Sequence, residues 1–382
     1  MTPVYLDENA SATVSPRAAT AAAQWLSAPP ANASSVHQLG RLARGAVEQS
    51  RRALAKSLGV SARHLTFTSG ATEALHTVIC GVVNAHDHVV VSAVEHPATW
   101  GALRRAQADV SVVPVDRLGR VDPAQVQAAL KPDTKLVIQM AAQNELGVVY
   151  PTQEIASVID GVPLLVDAAQ AYGKVPLDLS ETGATYAVVS GHKMGAPLGV
   201  GALWCRDGEP FTPYLEGGAQ ERGRRAGTEN VPAIVGFGVA ADEVEERLHR
   251  LTVARALLEE ARLRLAQESA LELLGVWGVL DQHGSSEASG VWRTYRQLPN
   301  TLCLRLLKHD GDLILQQLDL AGFCVSSGSA CSSGALEPSP VLRALGLDER
   351  SARRGLRVSI GPQTSADELQ RFTDTLFDVL KR

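Results

Sequence analysis

Between residues 60 and 250 the chain alternates short apolar runs with helix-like stretches, and no other feature of its 382 residues constrains the fold so strongly. His88 to Ala93, Leu136 to Ala141, Pro163 to Asp167, Tyr186 to Ser190 and Val200 to Cys205 are short, rich in Val and Leu, and end on polar or glycine residues. Strands buried on both faces have this character. Thr72 to Val83 and Thr152 to Ile159 supply intervening helices. The alternation predicts a mostly parallel sheet covered by helices on both faces. Ligands of such sheets lie beyond the carboxyl ends of the strands, so the polar residues there are the ones to read for chemistry.

After about residue 235 the pattern changes. Ala240 to Glu268 reads as one long, charged, amphipathic helix suited to connecting two lobes. A polar stretch follows, Asp281 to Gly290, then strand-like runs at Asn300 to Leu306 and Gly355 to Ile360. Ser365 and Glu368 form a capping box for a closing helix. The expected organisation is a large α/β domain over 14–250 and a smaller α+β domain made of 1–13 and 251–382, with the N-terminus folded back onto the smaller one.

Composition excludes several classes. Thirty-six Lys and Arg against 41 Asp and Glu leave a net charge of −5, which offers no basic field for a nucleic acid. No apolar run approaches the roughly 18–20 residues of a membrane-spanning helix. Met1 to Ala10 carries two acids and no basic segment, unlike a secretory signal. The five cysteines show no CxxC spacing, so neither a disulfide framework nor a zinc ribbon fits, and a cytoplasmic protein is expected.

Several strand ends carry candidate chemistry. Leu65 to Glu73 reads as a strand, a Ser69-Gly70 turn and a helix start, whose amides and Thr72 hydroxyl suit a phosphate. An ordinary helix start capped by Thr72 is the competing explanation. Asp167 ends a buried strand, where an anion needs a cationic or strong donor partner; a protonated ring nitrogen is one, and a simple capping role is the alternative. Lys193 follows another strand in a glycine-flanked turn and is a candidate for covalent capture of an aldehyde, although a random lysine is a surface one. Phosphate cradle, carboxylate and lysine together are the three handles of pyridoxal phosphate, and here they occur in that order.

His96, also at a strand end, could stack on a flat ring and exchange protons near neutral pH, or be a turn histidine. Val325 to Gly334 is a Gly/Ser-rich run with the composition of a loop and a single thiol, Cys331. Cys80, Cys205 and Cys303 sit in apolar runs and read as packing, while Cys324 is ambiguous. Arg357 is a charge within an apolar strand, paired either with a substrate carboxylate or in a structural salt bridge.

With these residues in hand, the chain resembles the cysteine desulfurases, fold-type I pyridoxal-phosphate enzymes that take sulfur from L-cysteine and leave alanine. The resemblance runs through Tyr5-Leu6-Asp7, Asn32 to His37, Thr68 to Glu73, Glu95-His96 and Asn144 to Gly147. It continues through Asp167 to Gln170, Ser190 to Lys193 and Gly217 to Asn230. The long loop Ser326 to Gly334, followed by Leu336-Glu337-Pro338, is similar to the subgroup serving nitrogenase maturation and housekeeping iron–sulfur assembly. Departures from the usual pattern occur at Leu75, His76, Gln143 and around Leu198.

The resemblance implies a mostly parallel seven-stranded sheet in the large domain. It implies that Lys193 carries the cofactor covalently, that Ala71, Thr72, Ser190 and His192 hold its phosphate, and that Asp167 pairs with the ring nitrogen. Gln170 would meet the ring hydroxyl and His96 the ring face. Asn144 and Arg357 would fix the substrate carboxylate, Asn144 also bordering the cofactor. Thr228 would reach the phosphate from the opposite subunit of a homodimer. Cys331 would attack the substrate sulfur and leave as a persulfide, for delivery to an iron–sulfur scaffold or another acceptor protein. No resident metal is implied, with Cys331 open to sharing a transient iron–sulfur cluster with a scaffold. A related selenocysteine lyase or aminotransferase, and a non-catalytic scaffold of the same fold, are the alternatives.

Overall fold

The structure, a computed structural model, describes residues 3–276, 296–327 and 338–381. Its main sheet has seven strands in the order Leu65–Thr68, Gly201–Cys205, Tyr186–Ser190, Leu164–Asp167, Thr134–Met140, His88–Ser92, Asp109–Val113. Gly201–Cys205 is antiparallel to both of its neighbours, and every other adjacent pair is parallel. The five strands and two helices expected from the sequence are all present, with small shifts at their ends.

Side chains that alternate along these strands enter two separate apolar layers. Val90, Val137, Val166 and Val189 pack on one face with Ile234 and Phe237. Val89, Val91, Ile138, Leu165, Val188 and Leu203 pack on the other, against Leu75, Val78 and Ile79 of the helix Ala71–Val82. Burial on both faces is why the strands read as continuous apolar runs. Asp109–Val113, at the sheet edge, is mostly exposed and carries no such signature.

A second, antiparallel sheet joins Leu271–Leu274, Thr301–Leu306 and Gly355–Ser359. Its core gathers Leu302, Leu304, Leu356 and Val358 with Leu258, Leu318 and Phe372 from three helices. The N-terminal segment comes back to this region: Val4–Tyr5 pairs in parallel with Phe323–Cys324, and Leu6 enters the same core. The capping box at Ser365 and Glu368 forms as expected.

One expectation needs correction. The stretch read as a single helix from Ala240 to Glu268 is the end of Val231–Asp242 and the whole of Val244–Leu265, joined at Glu243. Asn230 caps the first of these and Pro232 lies in its opening turn, signals that a reading fixed on the charged segment passes over. Asp281 to Gly290 lies outside the described residues. No helix among the described residues is long and apolar enough to cross a membrane.

Candidate active site

A cavity of about 440 Å³ opens at the carboxyl ends of the central strands. Ala71, Thr72, His96, Asp167, Ser190 and Lys193 line it, and Asn144, Gln170, His192 and Arg357 complete the wall. A larger cleft of about 650 Å³ behind the Lys193 turn contains none of the candidate catalytic, cofactor-binding or substrate-binding residues.

At one end lies the start of the helix Ala71–Val82. Its N-cap is Gly70, and no side chain caps it, so Thr72 does not play the capping role considered above. The first-turn amides have no acceptor within the helix and carry its positive end into the cavity. Glu73, which also lines the cavity, is already engaged: it accepts from the Ser69 amide at 2.9 Å and pairs with Arg225 at 2.9 Å. Burial alone would raise the Glu73 pKa, but the Arg225 and Ser69 hydrogen bonds outweigh it and hold the carboxyl below its usual range. Close backbone approach builds this corner. A Cβ on Gly201 would come within 2.6 Å of the Gly70 Cα.

Asp167 ends its strand 5% exposed, and its Oδ1 accepts from the Ala169 amide at 2.9 Å. Among the described residues it makes no ion pair. Burial raises its pKa against the opposing effects of the Ala169 hydrogen bond, His96 and Lys193. Beside it lies Glu95, whose Oε1 accepts from Ser92 Oγ and the Met140 amide, both at 2.7 Å. The Glu95 Oε2 is buried with no partner among the described residues, and burial pushes this carboxyl up to about 8. His96 caps the helix Pro97–Ala106, its Nδ1 accepting from the Ala98 amide at 3.1 Å. That bond places the proton of the neutral ring on Nε2.

Lys193 sits in the 3₁₀ turn Gly191–Lys193 that follows Tyr186–Ser190. The turn is tight because a Cβ on Gly191 would lie 2.8 Å from Val200 Cγ1. The Lys193 amine donates to the carbonyls of Asn9 at 2.7 Å and Ala10 at 2.9 Å. Next to it, burial and then the charges of Lys193 and Lys174 lower the His192 pKa to about 4, so this ring is neutral at pH 7. Ser190 is buried beside it.

Arg357 is 1% exposed, and its Nη2 donates to Asp7 Oδ1 at 2.6 Å while Nη1 donates to the Asn144 carbonyl at 3.2 Å. The structural salt bridge is therefore realised. The guanidinium still lines the cavity, and its Nε has no partner among the described residues. Gln170 donates through Nε2 to the Asn9 carbonyl at 2.9 Å and accepts from Lys174. Thr228 is exposed and does not line the cavity of its own chain.

Cys331 lies outside the described residues. The thiols of Cys80, Cys205, Cys303 and Cys324 are free, and burial raises the pKa of each, for Cys205 to about 11. None is a ready thiolate. Among the described residues no three His, Cys, Asp or Glu side chains group as metal ligands.

The residues present fit pyridoxal phosphate. Uncapped helix amides face where a phosphate would lie, a buried carboxylate without an ion pair answers a protonated ring nitrogen, and an amine stands in the same cavity. Three buried polar residues around this cavity escaped assignment of a role from the sequence: Asn9, Lys174 and Glu95. Glu95 adjoins His96 in a motif already noted, but Asn9 and Lys174 become partners only through the tertiary fold.

The chain matches the model of the aminotransferase class-V family over residues 4–372. It is 39% identical to a cysteine desulfurase of Cereibacter sphaeroides, over 98% of this chain and 94% of that protein. Among solved structures it is similar to a NifS-like protein, with a TM-score of 0.88, 28% identity and both chains covered completely. It is also similar to SspA in complex with cysteine, with a TM-score of 0.78, 28% identity and coverage of 94% of this chain and 99% of that one.

Proposed function

Because the chain belongs to the aminotransferase class-V family and is a cysteine desulfurase, we propose a division of labour among its own residues, with L-cysteine as substrate and alanine as product. The observation that carries it is the convergence of Lys193, Asp167 and the uncapped start of the helix Ala71–Val82 on one cavity. Lys193 holds pyridoxal phosphate, the helix amides with Thr72, Ser190 and His192 hold its phosphate, and Asp167 holds the proton on its ring nitrogen. A neutral His192 accepts or donates one hydrogen bond there without adding charge. When bound, the cofactor supplies an electron sink for the pair released at the substrate α-carbon.

The remaining steps belong to the chain. Arg357 and Asn144 orient the substrate carboxylate, the guanidinium using the N–H groups that Asp7 leaves available. The Lys193 amine removes the α-proton. His96, with its proton on Nε2, exchanges a proton with the substrate thiol. Cys331 attacks the substrate sulfur as thiolate; an S–S bond forms as the C–S bond breaks, the C–S electron pair stays with the substrate β-carbon, which takes up a proton, and the sulfur remains on the protein as a persulfide while the carbon skeleton leaves as alanine.

We assign the cofactor-binding domain to 14–250 and the smaller domain to 1–13 with 251–382, a division supported by the second apolar core around Leu258, Leu302 and Phe372. Thr228, exposed in its own chain, is offered to the partner of a homodimer. The persulfide passes, in the cytoplasm, to an iron–sulfur scaffold or another acceptor protein. Incubation with L-cysteine and a thiol, measuring alanine and sulfide together, tests the assignment. Equal yields are expected, abolished in Lys193→Ala and in Cys331→Ala; sulfide release that persists in Cys331→Ala overturns the role of that thiol.

A further inference from the structure

Lysine is rarely buried completely, yet Lys174 is 1% exposed and makes no ion pair among the described residues. Its amine donates to two neutral amide oxygens, Asn9 Oδ1 at 2.8 Å and Gln170 Oε1. Around it stand the cations Lys193, Arg247 and Arg357 and one anion, Glu8. Glu8 is committed to Thr13 through its hydroxyl and amide. Burial first, then Lys193 and Arg247, lower the Lys174 pKa well below the ordinary lysine range.

A lysine amine that donates to an amide oxygen fixes which end of that amide points where. With Oε1 held by Lys174, the nitrogen of Gln170 must face the other way. One of its hydrogens goes to the Asn9 carbonyl, the acceptor that also takes a hydrogen bond from Lys193. The second remains for the cavity that Gln170 lines. Lys174 orients Asn9 in the same manner: with Oδ1 held, Nδ2 donates to the Asn144 carbonyl at 3.1 Å and to Thr301 Oγ1 at 2.8 Å. The same amine thus meets the oxygen ends of two side-chain amides; Asn9 Oδ1 also accepts from Asn300 Nδ2 at 3.2 Å, whereas Gln170 Oε1 depends on Lys174.

We infer that Lys174 is a positioning residue: it locks the Gln170 amide with its nitrogen toward the cavity, so that the ring hydroxyl of the cofactor meets a hydrogen-bond donor. The inference rests on the cofactor assignment proposed above. A donor at that oxygen draws negative charge away from the neighbouring nitrogen of the Lys193 linkage, which then holds its proton less tightly. Losing the donor has the opposite effect and raises the pH at which the bound cofactor changes its absorption.

The test is a spectrophotometric pH titration of the holoenzyme without substrate, alongside thermal melting, for the natural protein and for Lys174→Met, Lys174→Gln and Gln170→Ala. Lys174→Met and Gln170→Ala should each move the midpoint upward by about one pH unit, the effect of about one hydrogen bond. The double variant should match either single one, because both remove the same donor. Lys174→Gln, which keeps an N–H for Gln170, should restore most of the natural midpoint. A lowered melting temperature with an unmoved midpoint in Lys174→Met overturns the inference, as do additive shifts in the double variant. If Lys174→Met fails to fold, an unmoved midpoint in Gln170→Ala overturns it equally. Failure of the cofactor assignment looks different: the natural protein would then carry no borohydride-reducible group on Lys193.

Discussion

Arg357 Nη2 donates to Asp7 Oδ1 at 2.6 Å across 350 positions of sequence, joining the strand Gly355–Ser359 to the N-terminal segment at the wall of the cavity. Part of a charge that could grip a substrate is already held by the protein. The pair fixes the plane of the guanidinium before any ligand arrives, so a carboxylate meets an oriented fork.

Replacing that fork with a point charge tests its use. Arg357→Lys should raise KM for L-cysteine by about tenfold or more, with a smaller change in kcat, because a bidentate contact is lost while the charge remains. Initial rates of alanine formation across substrate concentrations measure both. An unchanged KM would mean that the guanidinium serves Asp7 and the Asn144 carbonyl and does not grip the substrate.

Glu95 sets a pH dependence of stability. Its carboxyl is raised from 4.5 to about 8 in the folded protein, burial being the largest cause. The folded state therefore holds a proton that the unfolded chain releases, so this contribution to stability is complete below about pH 4.5 and is lost as pH rises toward 8. Glu95→Gln mimics the protonated form. Melting temperatures of the cofactor-free variant should fall less between about pH 5 and about pH 9 than those of the natural protein. Parallel curves would contradict a protonated Glu95.

His96 combines a structural bond with a chemical one, and two substitutions separate them. Asparagine is a favourable N-cap, so His96→Asn should keep its melting temperature, whereas His96→Ala should lose about 1 kcal/mol. Both should lose about a hundredfold or more in kcat if the ring moves a proton in the reaction. Retention of kcat in His96→Asn would reduce the histidine to a helix cap.

Much of this site is legible in the sequence because parallel sheets put their chemistry at strand ends. His96, Asp167 and Lys193 each follow an apolar run, and the fold brings these ends to one cavity. Asp109–Val113 was harder to see because an edge strand with mostly exposed side chains lacks the apolar run that marks its neighbours. The break at Glu243 was hidden by the merging of a buried apolar helix with a charged one. Lys174 could not be read from periodicity at all. What makes it unusual is burial against Asn9, which lies 165 positions away.

The place of Asn9 has a consequence for the order in which the pocket comes into being. Its backbone serves Lys193 and Gln170, while its side chain is held by Asn300 and Thr301 and its amide by Ser359. During synthesis this stretch leaves the ribosome long before those later partners exist, and contacts so distant along the chain are slow to close. The reactive amine therefore gains its final surroundings only when translation has passed Ser359, so the pocket matures as one of the last events of folding.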